Sequence, residues 1–197
     1  MTTTTKKTTK PKVVKTKTTP IPQLPLNPFA YEVFDAASKQ RTKAKKIEVL
    51  QRYAHDSIMA VLIWNFDESV ISLLPEGEVP YGNTREDNSV TGTLSDKIND
   101  AVGMMKESGS TSLGSQDQGK ASIRKEYTKF YNFLKGGNNG LSNLRRETMF
   151  INILEGLHPL EAEILILVKD KKLTDKYKIT KEIASAAYPQ ITWGGRS

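Results

Sequence analysis

Asn143-Leu-Arg-Arg-Glu-Thr-Met-Phe-Ile-Asn-Ile-Leu-Glu-Gly-Leu-His-Pro-Leu-Glu-Ala-Glu-Ile-Leu-Ile-Leu-Val-Lys-Asp-Lys-Lys-Leu173 is the stretch that decides the fold. Phe150, Ile151 and Leu154 recur at helical spacing, and Met149 and Ile153 widen the stripe. Gly156 and His158-Pro159 break the run. Pro159 suits the first turn of a second helix, where its missing N–H has no intrahelical partner to lose. Glu161 and Glu163 fall near the positive end of that helix, and Lys169, Lys171 and Lys172 gather at its negative end. Residues 164–168 are apolar all round, which predicts the central, most enclosed helix. Thr180 is the expected cap of a last helix through Ile183, Ala184 and Ala187, ended by Pro189. Trp193-Gly-Gly-Arg-Ser reads as a flexible end whose indole seeks a groove on a neighbour.

Working outward toward the N-terminus, Gly136-Gly-Asn-Asn-Gly140 permits positive φ and ends a helix that starts near Ala121. Ile123, Tyr127, Phe130, Tyr131 and Leu134 form its aromatic stripe, with Arg124, Lys125, Lys129 and Lys135 beside it. Aromatics among cations can stack bases, but at helical spacing core packing is the stronger reading. Residues 75–119 are turn-rich and low in apolar content apart from Ile98, Val102 and Met105, which predict a short helix over 94–105. The rest, especially 108–119, reads as a long loop insertion of the kind that usually carries function. Before it, Asp56 or Ser57 is the expected cap of a helix with Ile58, Val61, Leu62, Ile63 and Trp64. Asp67 is the expected start of another through Val70, Ile71, Leu73 and Leu74, stopped by Pro75. Asn27-Pro28 reads as the start of the first helix, carrying Phe29, Val33, Phe34 and Ala37. Lys39, Arg41, Lys43, Lys45 and Lys46 form a basic cluster leading into a helix with Ile47, Leu50 and Tyr53 on one side. Such a cluster is either a solvated helix face or a nucleic-acid patch.

Charge is unevenly spread. The chain of 197 residues carries a formal +7, yet Lys6, Lys7, Lys10, Lys12, Lys15 and Lys17 lie in the first twenty residues with no acid among them. Removing those six leaves +1 for the remainder. Residues 1–27 are almost wholly Thr, Lys and Pro and cannot bury enough surface to offset the entropy of ordering. They read as an extended arm, followed by a single helical domain over 28–197. Ile21, Leu24 and Leu26 are the arm's candidate anchors in a groove. Its lysines suit a salt-sensitive, sequence-blind attraction to DNA or to an acidic protein surface. The first twenty residues hold neither arginine nor aromatic side chains, so bidentate or stacking recognition is not expected of them.

Hydrophobic content is 37 %, and no apolar run approaches the roughly 18 residues that cross a bilayer, so no membrane is expected as a partner. The opening residues lack the apolar segment of a secretory signal. The absence of cysteine removes disulfides and thiolate metal sites. His55 and His158 are the only histidines, and each is better read as a cap or packing residue than as a ligand. Glu155, Glu161 and Glu163 lie near His158, but positions two apart on a helix do not share a face. No phosphate loop, dinucleotide fingerprint, zinc helix or nucleophile elbow is present. The chain is read as no enzyme, with no cofactor and no small-molecule substrate; a hydrolase would require a carboxylate pocket that the sequence does not display.

Phe66-Asp67, Leu74-Pro-Glu-Gly-Glu-Val-Pro-Tyr81, Phe150-Ile-Asn-Ile-Leu-Glu-Gly-Leu-His-Pro-Leu-Glu-Ala-Glu-Ile-Leu165, Lys169-Asp-Lys-Lys-Leu173 and Lys176-Tyr177 together resemble a family of small uncharacterised proteins of T4-like tailed bacteriophages, including cyanophages. Lys43-Ala-Lys-Lys-Ile-Glu-Val-Leu50 is similar too. The resemblance spans 41–189, less 83–118, and transfers no catalytic or binding residue. It implies a phage protein made in the host bacterial cytoplasm and placed in the virion, with other phage structural proteins as partners. The expectation is therefore a mainly α, compact bundle of short helices built on the 150–168 pair, with an extended N-terminal arm and a central loop insertion, serving as a non-enzymatic structural or accessory component of the particle. The alternative is an intracellular phage protein that binds nucleic acid, or a replication or transcription protein, during infection.

Overall fold

A computed structural model describes residues 21–77 and 121–196. The chain is mainly α. Among the described residues the order is α1 (Ala30–Ser38), α2 (Lys43–Arg52), α3 (Asp56–Phe66), α4 (Ile123–Glu126), a 3-10 helix (Tyr127–Phe133), α5 (Asn143–Gly156), α6 (Pro159–Lys169), α7 (Leu173–Tyr177) and α8 (Lys181–Ala187). The helix expected over 94–105, the 108–119 loop and the six arm lysines lie outside the described residues.

The central helix is α6, as its all-round apolar run requires. It packs on α1, α3, α5 and α7, and Ala162, Ile164, Leu165 and Val168 are closed to water. Each large aliphatic chain buried there contributes about 1.5–3 kcal/mol. Pro159 occupies the first turn, and His158 caps it: Nδ1 accepts the Leu160 N–H at 3.3 Å. The His158 ring also stacks on Phe29 and Tyr31, with centroids 5.7 and 5.0 Å away. His55 caps α3 in the same way, its Nδ1 accepting the Ser57 N–H at 3.1 Å, so the histidine and not Asp56 or Ser57 starts that helix. Burial, then the charge of Arg124, holds His55 below the usual imidazole value and keeps its acceptor available.

Several sequence expectations are corrected. The first helix begins at Ala30, not Pro28. Two carboxylates fix that start: Glu32 accepts the Phe29 N–H at 2.8 Å, and Glu161 accepts the Ala30 N–H at 2.9 Å. Residues 67–74 form no helix. A turn closed by Val70 N–H on Asp67 O at 3.2 Å leads into a short extended run, where Ser72 bridges Leu134 antiparallel, with Leu73 N–H to Phe133 O at 2.8 Å and Lys135 N–H to Ile71 O at 2.9 Å. Val70 and Leu74 point inward while Ile71 and Leu73 stay open, a burial that suits either period, so the backbone bonds to the 133–135 strip are what decide the extended form. The aromatic stripe is wound as a 3-10 helix, whose three-residue turn aligns Phe130 with Phe133. Both pack on Trp64, at centroid distances of 5.2 and 6.0 Å, while Tyr131 is left 54 % exposed. Phe150 closes the same cluster from α5. Gly136 has φ +81, as the glycine run suggests, and at Gly137 a Cβ would sit 1.9 Å from the Tyr131 carbonyl oxygen. Thr180 precedes α8, but its side chain makes no cap bond. The short α7 has no separate signal in the sequence.

The residues after α8 are held by the chain itself. Trp193 packs against the core, with the Lys181 ammonium 5.6 Å over its ring. Buried Asp67 accepts the Gly194 N–H at 3.0 Å, the Ser69 N–H at 2.9 Å and the Ser69 hydroxyl at 2.7 Å, and it pairs with the Arg196 guanidinium. Burial pulls the Asp67 pKa up, but these bonds together outweigh it and hold the group down at about 2.

Both flanks of the segment 78–120 are tied to α6. At the C-terminal end of α6, buried Lys169 donates to Pro75 O at 2.7 Å and Gly77 O at 3.0 Å. Near its N-terminal end, Glu161 accepts the Ile123 N–H at 2.9 Å.

Candidate anion-binding groove

The 39–46 cluster is divided by the fold. Thr42 ends the α1–α2 turn by accepting the Lys45 N–H at 3.3 Å, which starts α2 at Lys43. Helical geometry then sends alternate cations to different sides. Lys39 pairs with Asp35 at 2.6 Å and Lys45 with Glu48 at 3.1 Å, so these two are neutralised locally. Arg41, Lys43 and Lys46 instead line an open groove of about 430 Å³, whose other wall is Lys178, Thr180, Lys181, Glu182 and Ile183.

Packing fixes the two walls. The Tyr188 hydroxyl donates to Leu50 O at 2.7 Å and Gln51 Nε2 to Ala187 O at 3.4 Å, which holds α8 along α2. Lys46 Nζ donates to the Lys178 carbonyl at 2.7 Å, so one cation is used as a strut across the floor. Burial, then the charge of Lys178, keeps Lys46 below the usual lysine value. Lys43 reaches Glu182 at 2.6 Å, and Glu182 is the one carboxylate in the lining. Arg41 and the Lys178 ammonium have no acid partner among the described residues. Five basic side chains against one acid make this a surface built for negative charge.

Lys178 and Lys181 were not anticipated from the sequence. Lys178 reaches the groove because it caps α7 in the left-handed region, φ +49 and ψ +33, with its N–H on Thr174 O at 3.0 Å. Fully buried Ile179 beside it locks the turn. The left-handed conformation is costly for any residue with a Cβ and free of that cost for glycine. Lys178→Gly is expected to raise stability by about 1 kcal/mol, read as a higher urea midpoint, while removing one groove charge.

The anchors foreseen for the arm divide as well. Ile21 and Leu24 lie against the chain's own core. The Tyr53 hydroxyl donates to Pro22 O at 3.1 Å and accepts the Leu24 N–H at 2.9 Å. Leu26 is 96 % exposed. The strip 21–28 is thus seated on the body at the C-terminal end of α2, and the groove lies at the N-terminal end of the same helix. Of the carboxylates near His158, Glu161 turns inward onto Ala30 and Ile123, and Glu163 pairs with Lys176. Among the described residues no group of three or more His, Asp or Glu side chains is placed to hold a metal ion, and no helix is long and apolar enough to cross a membrane.

No curated protein matches the chain, and no solved structure matches it. A family pattern does match, over residues 33–100 and 104–175. It runs through most of 83–118, the stretch that the phage resemblance leaves aside, so that stretch is part of the family pattern. The match covers well over half of the chain, which therefore belongs to the family described as Family of unknown function (DUF6433).

Proposed function

We propose that the protein is a non-enzymatic structural or accessory component of a tailed-phage particle, docking on its neighbours through the helical body and on a negatively charged surface through the arm and groove. The phage setting is supported by the resemblance in the 41–189 region. The docking role rests on one observation: Arg41, Lys43 and Lys46 converge with Lys178 and Lys181 on one open groove, on the helix whose far end seats the root of the lysine-rich arm. Asp67 holds the 194–196 strip and Tyr53 the 22–24 strip on the body, so neither strip covers the groove cations.

Deleting residues 1–20, which spares Ile21 and Leu24, is expected to leave a folded body that no longer enters particles. Mass spectrometry of purified virions reads the result, and normal incorporation of the shortened chain would sink the arm's part in docking. A second reading draws on the same groove: an intracellular protein of infection that binds nucleic acid or a replication or transcription protein. Absence of the full chain from purified virions would select it.

A further inference from the structure

We infer that the groove between α2 and the α7–α8 corner is a nucleic-acid site that grips the phosphodiester backbone without reading bases. This rests on the groove being the docking surface named above, and it commits that surface to one class of partner.

The chemistry of the lining favours phosphates over an acidic protein. Stable protein interfaces are depleted in lysine and are held by buried aromatic or arginine anchors. Here four of the five cations are lysines, and the one large apolar lining residue, Ile183, is already buried in the chain's own core. An acidic protein face would find charge but nothing to anchor on. A phosphodiester chain needs only charge, at a regular repeat. Base reading is equally unsupported. No aromatic side chain lines the groove: Tyr177, next to Lys178, is buried in the core, and Trp193 is half-buried and covered by the Lys181 ammonium. A single arginine does not make the array of planar forks that reads base edges.

The placement fits a continuous strand. Lys46 and Tyr53 are seven residues apart on and just beyond α2, which is about 10 Å along its axis. Tyr53 holds Pro22 and Leu24, and Lys17 precedes Ile21 by only four residues. A nucleic-acid strand carries one charge per about 3.4 Å. The roughly 10 Å between the groove and the seat of the arm's root therefore corresponds to about three nucleotides of one strand. Lys46 is braced on the Lys178 carbonyl, so part of the site is set before any ligand arrives.

The test uses the full chain and fluorescein-labelled oligonucleotides of about 20 nucleotides, as single strand and as duplex, with binding followed by anisotropy across a salt series. The double variant Arg41→Gln/Lys178→Gly removes two of the groove cations that have no acid partner among the described residues. It is expected to bind about tenfold more weakly at moderate salt. Its salt slope should flatten by about 1.4 on single strands or about 1.8 on duplex, the signature of two lost phosphate contacts. The ratio of the two arms tells which form the groove prefers. Lys39→Gln/Lys45→Gln, whose cations are already paired, should bind as the parent does. Thermal melting confirms that both variants fold. Unchanged affinity and slope in Arg41→Gln/Lys178→Gly overturns the inference. So does polyglutamate of equal length that binds as tightly and loses as much, since that marks an acidic protein site. If the chain is absent from virions while the groove variant loses oligonucleotide binding, the particle reading falls and this inference stands. If the chain is in virions and the variant binds as before, the particle reading stands and this inference falls.

Discussion

Glu161→Ala is expected to cost about 4 kcal/mol at pH 5, enough to lower the melting temperature by about 10 °C. The Glu161 side chain is closed to water and its two oxygens serve two different elements: Oε1 takes the Ala30 N–H and Oε2 the Ile123 N–H, each at 2.9 Å. Alanine leaves both helix-start donors without an acceptor, at about 1–3 kcal/mol each, and opens a void beside them. The size of the effect should depend on pH. Burial pushes the Glu161 carboxyl up from 4.5 to about 7, against the two N–H groups that pull it down; Glu32 adds to the rise and Arg124 opposes it. Between pH 4.5 and 7 the unfolded chain therefore releases a proton that the native chain keeps, so stability falls as pH rises through that window and is level above it. The fall is worth about 3 kcal/mol, the energy of that displacement. Glu161→Gln cannot titrate and retains one carbonyl acceptor. Its urea-derived stability should lie below the parent's at pH 5 and approach it by pH 8. Parallel pH profiles for parent and Gln variant would show that Glu161 does not titrate with the fold.

Asp67→Ala is expected to cost about 3–5 kcal/mol near neutral pH, because it leaves the Arg196 guanidinium and the Gly194 and Ser69 donors facing an emptied site. The loss should come with release of residues 193–196. Trp193 then leaves the core, which a red-shifted tryptophan emission and faster trimming of the C-terminal residues would both report. The pH dependence has the opposite sense to that of Glu161. The Asp67 pKa is lowered from 3.8 to about 2, so its contribution is complete above pH 3.8 and is lost as pH falls toward 2. Arg196→Ala should free the end with a smaller loss, since Asp67 keeps Ser69 and Gly194. If Asp67→Ala melts like the parent and its tryptophan emission does not move, the clasp contributes nothing.

The helices that are legible in the sequence are those whose signals are local. Pro159, the all-round apolar run after it and the Gly156 break mark α5 and α6 without help from elsewhere. Errors arise where a distant residue decides. The start of α1 is misplaced by the Asn27-Pro28 signal because Glu32 caps the Phe29 N–H and Glu161, 131 residues away, takes the Ala30 N–H. The 127–133 stretch takes a period that its spacing does not announce, because the choice between turns of three and of four residues is made by Trp64, onto which Phe130 and Phe133 pack. Residues 67–74 carry apolar residues compatible with either period, and the bridge to Leu134 selects the extended form. The groove is half visible. Arg41, Lys43 and Lys46 stand out as a basic cluster, but nothing near Lys178 announces a left-handed turn, and a lysine is an improbable residue to make one. The C-terminal end reads as a free one because Asp67, its anchor, lies 127 residues earlier.

Lys169 and Glu161 give α6 a further consequence. They hold the two flanks of segment 78–120 on one rod, eight residues or about 12 Å apart along its axis. The gap that the segment must bridge is therefore set by the scaffold and not by the segment's own contents. Doubling the length of such a bridge adds only about 0.6 kcal/mol of closure entropy. The two clamps therefore set where that passage leaves the helical body and where it returns, so its ends stay on one rod whatever its length.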